Sequence, residues 1–289
     1  MTQIKQCVYR LNTHFISLKK RGEIILECIR SKDPEKMEVG KYLLHMNKLS
    51  FMPYEFSKNY MNYHISVYHD IDGYPFVYHG DKKLFFKKEW DDQKVKTYYK
   101  SLQLDQDELS PHRYLTSENR YPMEDSIIAD LGAAEGNFSL DIIDSARKIY
   151  LFEGDKEWNI PLIKTFEKWK EKVEIVNLYI GNKKNGVLDK NYTTLDEYFR
   201  NLNVTYVKAD IEGTEENMLI GGEYTFKNKI QQALICSYHL PSAEKKIIEY
   251  MNKYGFHYDV NSGYVLYDIL HTKGPYVRRA VIYGSKNVL

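Results

Sequence analysis

The feature that most constrains the fold is a regular alternation of strand-like and helix-like segments from Ser126 onward. Short apolar runs, typical of buried strands, alternate with longer segments that can present one apolar face. This alternation predicts a mostly parallel α/β sheet covered by helices on both faces. The strand-like runs are Ile127–Asp130, Ile149–Glu153, Val173–Leu178, Val204–Asp210, Ala233–Tyr238, Phe256–Val260 and Arg279–Gly284, and the helix-like runs are Phe138–Ala146, Trp158–Lys170, Leu195–Arg200, Glu215–Ile220 and Ala243–Tyr254.

The turn between the first predicted strand and helix carries two glycines, in IIADLGAAEGNFSLDII at residues 127–143. Gly132 and Gly136 allow the backbone to approach a ligand closely, and Asn137 is expected to cap the helix. The G-x-x-x-G spacing matches neither the dinucleotide fingerprint nor the phosphate-binding loop. The turn therefore favours a ligand other than a pyrophosphate.

Polar residues follow the predicted strands where ligands of parallel sheets bind, at the carboxyl ends. Glu153 ends the second strand, and a carboxylate there can accept hydrogen bonds from both ribose hydroxyls of an adenosine ligand. Asp210 is a candidate proton acceptor or substrate anchor. His239 is a candidate base, because a neutral imidazole accepts a proton near pH 7. The structural alternatives are a capping carboxylate and a core histidine.

Further candidates lie beside these. We expect Glu212 and Tyr238 to contact the substrate, and His112 is a weaker candidate that could belong to a lid. Two carboxylates, Asp210 and Glu212, do not make a metal site without further ligands, so we expect no metal.

The bulk properties narrow the function. The chain has 289 residues, a formal net charge of +1 and three cysteines without paired spacing. Near-neutral charge disfavours nucleic acid, and the cysteines favour a reducing compartment over a disulfide framework or zinc site. The N-terminus has no apolar stretch long enough for a signal peptide or membrane span. We therefore expect a cytoplasmic protein.

The first 120 residues lack the regular strand–helix alternation of the rest of the chain. We expect them to form an accessory, substrate-capping region ahead of a cofactor domain at 121–289. Helical patches lie at 22–30 and 39–49, and short strands with turns at Asp72-Gly73 and Gly80-Asp81 follow. Lysines and aromatics alternate over Lys82–Lys100, but acidic residues interrupt them, which favours a solvated surface. Whether this region builds the acceptor pocket, a homodimer interface or both is open.

A family resemblance rests on six motifs in order. ADLGAAEGNFS, YLFEGDKEWN, VNLYIGN, TTLDEYF, VKADIEGTEENMLIGG and CSYHLP resemble FkbM-type methyltransferases over Ser126 to Gly284. The resemblance implies a Rossmann-like class I methyltransferase fold with a seven-stranded sheet. It also implies S-adenosyl-L-methionine as cofactor, S-adenosyl-L-homocysteine as product, and O-methylation of a sugar, polyketide or other small hydroxylated metabolite, often in glycan pathways.

The resemblance assigns residues by motif. Asp130, Gly132, Ala133, Gly136 and Asn137 would form the loop under the methionine part of the cofactor. Glu153 would bind ribose, Gly181 and Asn182 would lie by the adenine, and Asp210 would face methyl donor and acceptor. Departures from the family pattern are Ala134 for Asn, Gly154 for Pro, Asn182 for Asp and Ser237 for Glu. Without a Glu-x-His pair, the proton acceptor is not fixed.

Two other classes of function remain open from the sequence. A nicotinamide-dependent oxidoreductase shares the strand–glycine–helix logic, but its glycine spacing differs. A non-catalytic protein of glycan assembly could retain the cofactor fold, although Gly132, Gly136, Glu153 and Asp210 together weigh against it.

Overall fold

The computed structural model describes residues 19–46, 49–115, 124–182, 191–267 and 274–286. Its centre is a seven-stranded sheet made of β4 (Ile127–Leu131), β5 (Lys148–Phe152), β6 (Val173–Val176), β9 (Tyr206–Ala209), β10 (Gln232–Cys236), β11 (His257–Val260) and β14 (Val281–Ser285). Their order across the sheet is β11-β14-β10-β9-β4-β5-β6. All seven predicted strands are present within a few residues of the expected bounds, so the expected sheet is confirmed.

The pairing of the strands places the site. Strand β4 runs parallel to both β5 and β9, with Leu131 opposite Phe152 and Ala209. The carboxyl ends of these three strands therefore meet at one edge of the sheet. Strand β14 runs antiparallel to both of its neighbours, β10 and β11. The apolar pattern does not reveal this reversal, since a strand buried on both faces reads alike in either direction.

Helices cover both faces of this sheet. They are α4 (Asn137–Ile142), α5 (Asn159–Thr165), α6 (Leu195–Tyr198), α7 (Glu215–Gly221), α8 (Glu223–Asn228) and α9 (Ala243–Lys253). The expected helix Trp158–Lys170 is divided, because Phe166 leaves the helical conformation before a 3-10 turn at Glu167–Trp169. The capping prediction was wrong: Gly136 in the left-handed conformation is the N-cap, and Asn137 is the first helical residue.

The N-terminal region packs against the sheet layers. It contains α1 (residues 19–30), α2 (Pro34–His45), α3 (Asp92–Asp105) and a three-stranded sheet of β1 (Tyr68–His69), β2 (Pro75–His79) and β3 (Lys82–Phe85). Leu84 and Val95 share one buried cluster with Phe138 and Leu140 of α4. This shared core fixes α3 against the carboxyl edge of the sheet. The division at residue 120 stays a prediction.

Two short strand pairs complete the fold, β7 (Tyr179–Ile180) with β8 (Tyr192–Thr193) and β12 (Val265–Leu266) with β13 (Val277–Arg278). Cys28 and Cys236 are buried free thiols, and Cys7 lies outside the described residues. Among the described helices, none has the length and apolar content needed to cross a membrane.

Candidate functional site

The loop between β4 and α4 is shaped by positive φ angles. Gly132 has φ +72°, Ala134 +46° and Gly136 +87°. A Cβ at position 132 would lie 1.9 Å from the carbonyl oxygen of Asp210, and one at 136 would lie 2.7 Å from the Phe166 ring. The glycines are therefore required by contacts within the protein as well as by the turn. Bare backbone at Gly132 lets the loops after β4 and β9 touch.

Glu153 fastens this loop to the next strand. Its Oε2 accepts a hydrogen bond from the Ala134 amide (2.9 Å), and its Oε1 accepts one from the Asp155 amide (2.8 Å). The carboxylate is half-buried. A carboxylate oxygen can accept more than one hydrogen bond, so both oxygens retain capacity for ribose hydroxyls. Glu153 therefore supports the loop whether or not a ligand is present.

A buried ion pair lies beneath the loop. Lys208 Nζ is 3.0 Å from Asp130 Oδ1 and donates to the Gly132 carbonyl oxygen at 2.8 Å. The other Asp130 oxygen accepts a hydrogen bond from Ser139 Oγ (2.7 Å). Asp130 has no exposed surface. It therefore anchors the loop from below, whereas the neighbouring Lys208 reaches a cleft that this loop lines.

The loop forms one wall of a cleft of about 260 Å³, slightly below the usual range for small-molecule sites. Two further walls come from the loop after β9, with Asp210 and Glu212, and from the N-terminal region. The lining residues of the N-terminal region are Phe51, Tyr98, Ser101, Leu102, Asp105, Gln106, His112 and Tyr114. Tyr238 also lines the cleft, whereas Glu153, Gly181, Asn182 and His239 do not appear among its lining residues.

Asp210 accepts hydrogen bonds from several sides. Tyr114 donates to Oδ2 at 2.7 Å and Tyr238 to Oδ1 at 3.3 Å. His239 Nε2 lies 3.2 Å from Oδ1 and His112 Nε2 3.6 Å from Oδ2. Burial favours the neutral acid, but interactions with the two histidines outweigh it and hold the pKa of Asp210 well below its usual range. Asp210 is therefore a firmly ionised carboxylate.

His239 is enclosed between two carboxylates. Its Nδ1 lies 2.7 Å from Glu215 Oε1, opposite the contact of Nε2 with Asp210, and only 2% of its side chain is exposed. Burial disfavours the imidazolium, but hydrogen bonds to Asp210 and Glu215 raise the pKa of His239 to about 10. The sequence favoured a neutral imidazole that accepts a proton. The structure instead holds His239 protonated, as a buried cation that positions Asp210.

Three of the four departures from the family pattern can be related to their local surroundings. Ala134 occupies a left-handed position, the conformation that asparagine tolerates best after glycine. A side chain on Gly154 would meet the Tyr179 ring at 2.2 Å. The carboxylate that Ser237 cannot supply reaches His239 from Glu215 instead, on helix α7.

Metal binding is disfavoured by the protonation of the candidate ligands. Asp210, Glu215 and His239 bring ligand atoms within 4.8 Å of one another, as do His112, Asp210 and Cys236. The first set already encloses a protonated imidazole. In the second, burial raises the pKa of the Cys236 thiol well above its usual value. A metal needs an unprotonated imidazole or a thiolate, so it would first have to displace these protons.

Several residues of the site were not foreseen from the sequence: Tyr98, Asp105, Glu135, Lys208 and Glu215. One local signal was available. A lysine inside the apolar strand run TYVKAD is unusual for a buried strand and could have marked Lys208 as paired. The α3 residues gave no such signal, because their approach to the sheet edge depends on tertiary packing.

The sheet order, its single reversed strand β14 and the glycine turn after β4 define a class I methyltransferase fold. Residues 130–258 match the model of the methyltransferase FkbM domain. Over these residues the resemblance noted in the motifs is confirmed: the chain contains an FkbM-type methyltransferase domain, and its cofactor is S-adenosylmethionine. The oxidoreductase alternative is set aside.

Solved structures show distant similarity. The chain is similar to a methyltransferase FkbM from Methylobacillus flagellatus KT, at 17% identity and a TM-score of 0.43, over 68% of this chain and 55% of that one. It is similar to a precorrin-6y C5,15-methyltransferase from Geobacter metallireducens GS-15, at 13% identity and a TM-score of 0.39, over 57% of this chain and 83% of that one. It is also similar to M. capricolum TrmK in complex with S-adenosyl-homocysteine, at 15% identity and a TM-score of 0.39, over 57% of this chain and 64% of that one. No curated protein matches the sequence.

Gly132→Ala is expected to separate the two loops. Its Cβ would lie 1.9 Å from the Asp210 carbonyl oxygen at a φ of +72°. The left-handed backbone alone costs about 1–2 kcal/mol with a Cβ, so the free energy of unfolding in urea should fall by at least that. Gly22→Ala, in helix α1 with open space around it, should be neutral or stabilising. Equal stability of the two variants would contradict the loop contact.

His239 is expected to remain charged at pH 8. Its pKa of about 10 exceeds the ordinary value of 6.5, so its stabilising contribution is complete below about pH 6.5 and is lost as pH rises through 10. The difference in unfolding free energy between wild type and His239→Gln should therefore shrink from pH 6 to pH 9.5. NMR of the imidazole, assigned with this variant, gives the midpoint directly. A midpoint near 6.5 would show a neutral ring.

Proposed function

We propose that the protein transfers a methyl group from S-adenosylmethionine to a hydroxyl oxygen of a small polar metabolite, namely a sugar or nucleotide-sugar precursor of a glycan. The observation that supports this most is the composition of the cleft. Aromatic side chains and carboxylates line it together, beside the glycine loop of a methyltransferase domain. This combination suits a ligand with apolar ring faces and many hydroxyl groups.

The charge of the loop region fits the cofactor. S-adenosylmethionine supplies a methyl group activated by a positively charged sulfonium and carries an amino acid end. Asp105, Glu135 and Asp210 line the same cleft as the ammonium group of Lys208. Both signs of charge are therefore available for an amino acid, with negative charge in excess for a sulfonium. Glu153, at the end of β5, has the capacity to bind ribose, and Gly181 and Asn182 stay predicted neighbours of the adenine.

The acceptor side of the cleft suits a sugar. The rings of Phe51, Tyr238 and Tyr267 contact one another at centroid distances of 4.8–6.4 Å and form an aromatic wall. The Tyr267 hydroxyl also donates a hydrogen bond to Glu212 Oε2 (3.2 Å). The side chain of Glu212 is 81% exposed. A sugar ring can pack its apolar face on such a wall, and the carboxylate of Glu212 can accept bonds from its hydroxyls.

In this proposal Asp210 and His239 position the ligands and do not take part in proton transfer. The ionised Asp210 is held by Tyr114 and Tyr238 and can fix a hydroxyl or a cationic group within the cleft. His239 maintains its charge and orientation from behind. Methyl transfer depends mainly on alignment of the acceptor oxygen with the bond that breaks, and rigid anchors supply it. The N-terminal region, which contributes the opposite wall, would then serve as the substrate cap.

The experiment that tests this function is a methyl-transfer assay with S-adenosylmethionine over sugar phosphates, nucleotide sugars and glycan precursors. We expect one acceptor to gain the mass of a single methyl substitution, with the methyl on oxygen by NMR. Transfer to nitrogen or carbon instead would overturn O-methylation. Cofactor binding without transfer to any hydroxylated acceptor would favour the non-catalytic alternative.

Glu153→Ala should weaken S-adenosylhomocysteine binding in calorimetry. Loss of charge-assisted hydrogen bonds costs about 1–3 kcal/mol, or roughly 5–150-fold in Kd. Part of this loss would come from the Ala134 amide, which loses its partner in the loop. Glu171→Ala, an exposed glutamate between α5 and β6, is the matched control and should bind normally. Unchanged affinity in Glu153→Ala would remove the residue from the cofactor site.

A further inference from the structure

The carboxylate of Asp105 enters the cleft from the N-terminal region. Asp105 is the last residue of α3, and it lines the same cleft as the glycine loop and Asp210. Neighbouring lining residues of the same helix are Ser101 and Leu102, followed by Gln106. The core shared by α3 and α4 fixes this helix end in place.

Asp105 differs from the other acids of the cleft in its partners. Glu135 accepts a hydrogen bond from the Tyr98 hydroxyl (2.6 Å), and Asp210 is held by tyrosines and histidines. Glu212 lies at the exposed rim. Within the described ranges, no side chain or amide donates a hydrogen bond to the Asp105 carboxylate. Its oxygens are therefore free to receive a donor from a ligand.

The alternative bases are poorly suited to the reaction. Asp210 has low proton affinity, and His239 already carries its proton behind Asp210. His112 turns Nε2 toward Asp210 (3.6 Å) and Cys236 Sγ (3.9 Å), while its Nδ1 is enclosed and out of reach of a ligand. A proton acceptor for the substrate must reach the hydroxyl directly or through one water.

We infer that Asp105 is the catalytic base that takes the proton of the acceptor hydroxyl, an inference that rests on the proposed O-methyl transfer. As the acceptor oxygen forms its bond to the methyl carbon, the carbon–sulfur bond breaks and its electron pair remains on sulfur. The hydroxyl proton passes to a carboxylate oxygen of Asp105 and leaves to solvent through the open cleft. The N-terminal region thus supplies chemistry as well as a wall.

The electrostatic surroundings match this role. Burial raises the pKa of Asp105 to about 6, with His112 lowering it and the charges of Asp210 and Glu135 raising it. Lys208 and Glu212 are further charged groups that line the same cleft. A base with a pKa just below the working pH is ionised and still holds a proton well. The Asp105 carboxyl should therefore be ionised at neutral pH, and methyl transfer should slow in acid as this carboxyl becomes protonated.

The test compares Asp105→Asn with wild type on the acceptor found in the assay above. A positioned base contributes about 10²–10⁴-fold, so kcat should fall by that factor while the Kd of S-adenosylhomocysteine stays within about threefold. Wild-type kcat/KM should decline below a midpoint near pH 6, and the variant should lose that dependence. Glu108→Gln, the same change on an exposed residue just beyond α3, should leave kcat and the pH profile unchanged.

Independent evidence comes from carbon-13 NMR of the aspartate carboxyls without cofactor. A carboxyl signal that titrates near pH 6 should be present in wild type and absent from Asp105→Asn; its persistence in the variant would overturn the inference. So would turnover of the variant within threefold of wild type on a hydroxyl acceptor, with O-methyl transfer itself intact. Wild-type protein that methylates no hydroxyl acceptor would overturn the proposed function, and this inference with it.

Discussion

The site depends on a single buried ammonium group, Lys208 Nζ, which joins the ends of β4 and β9. It pairs with Asp130 and binds the carbonyl oxygen of Gly132, so the first strand and its loop are tied to the strand that leads to Asp210. Removing two charges from water is costly, and the hydrogen bonds from Ser139 to Asp130 and from Lys208 to Gly132 lower that cost. The close approach of Gly132 to the Asp210 backbone follows from the same attachment.

Charge alternates outward from this pair. Groups of opposite charge follow one another in space, in the order Asp130, Lys208, Asp210, His239 and Glu215. The pKa shifts of Asp210 and His239 follow from this arrangement. The acidic groups at this edge are therefore divided by role. Asp210 is fixed in one protonation state by its partners. Asp105, without hydrogen-bonding partners in the described chain, keeps a proton affinity that chemistry near neutral pH can use.

Most of the fold could be predicted from the sequence, because the period of apolar residues records which segments are buried strands and which are one-sided helices. The position of Glu153 and Asp210 at strand ends followed from the same pattern. The capping role of Asn137 was predicted wrongly, and the raised pKa of His239 departs from the neutral imidazole that the sequence favoured. The proton affinity of His239 depends on a neighbour distant in sequence, the Glu215 carboxylate, and Gly136, with its left-handed backbone, occupies the N-cap position.

The sequence by itself determined the order of strands and helices, the glycine turn and the methyltransferase family, since these depend on local pattern and motif. Only the tertiary structure decided how the N-terminal region meets the sheet, because that contact is made by buried side chains such as Leu84 and Phe138, far apart along the chain. The same packing places Asp105 in the cleft that Asp210 also lines. Proton affinities were likewise decided there, since burial and partners set a pKa, and neither can be read from residue type.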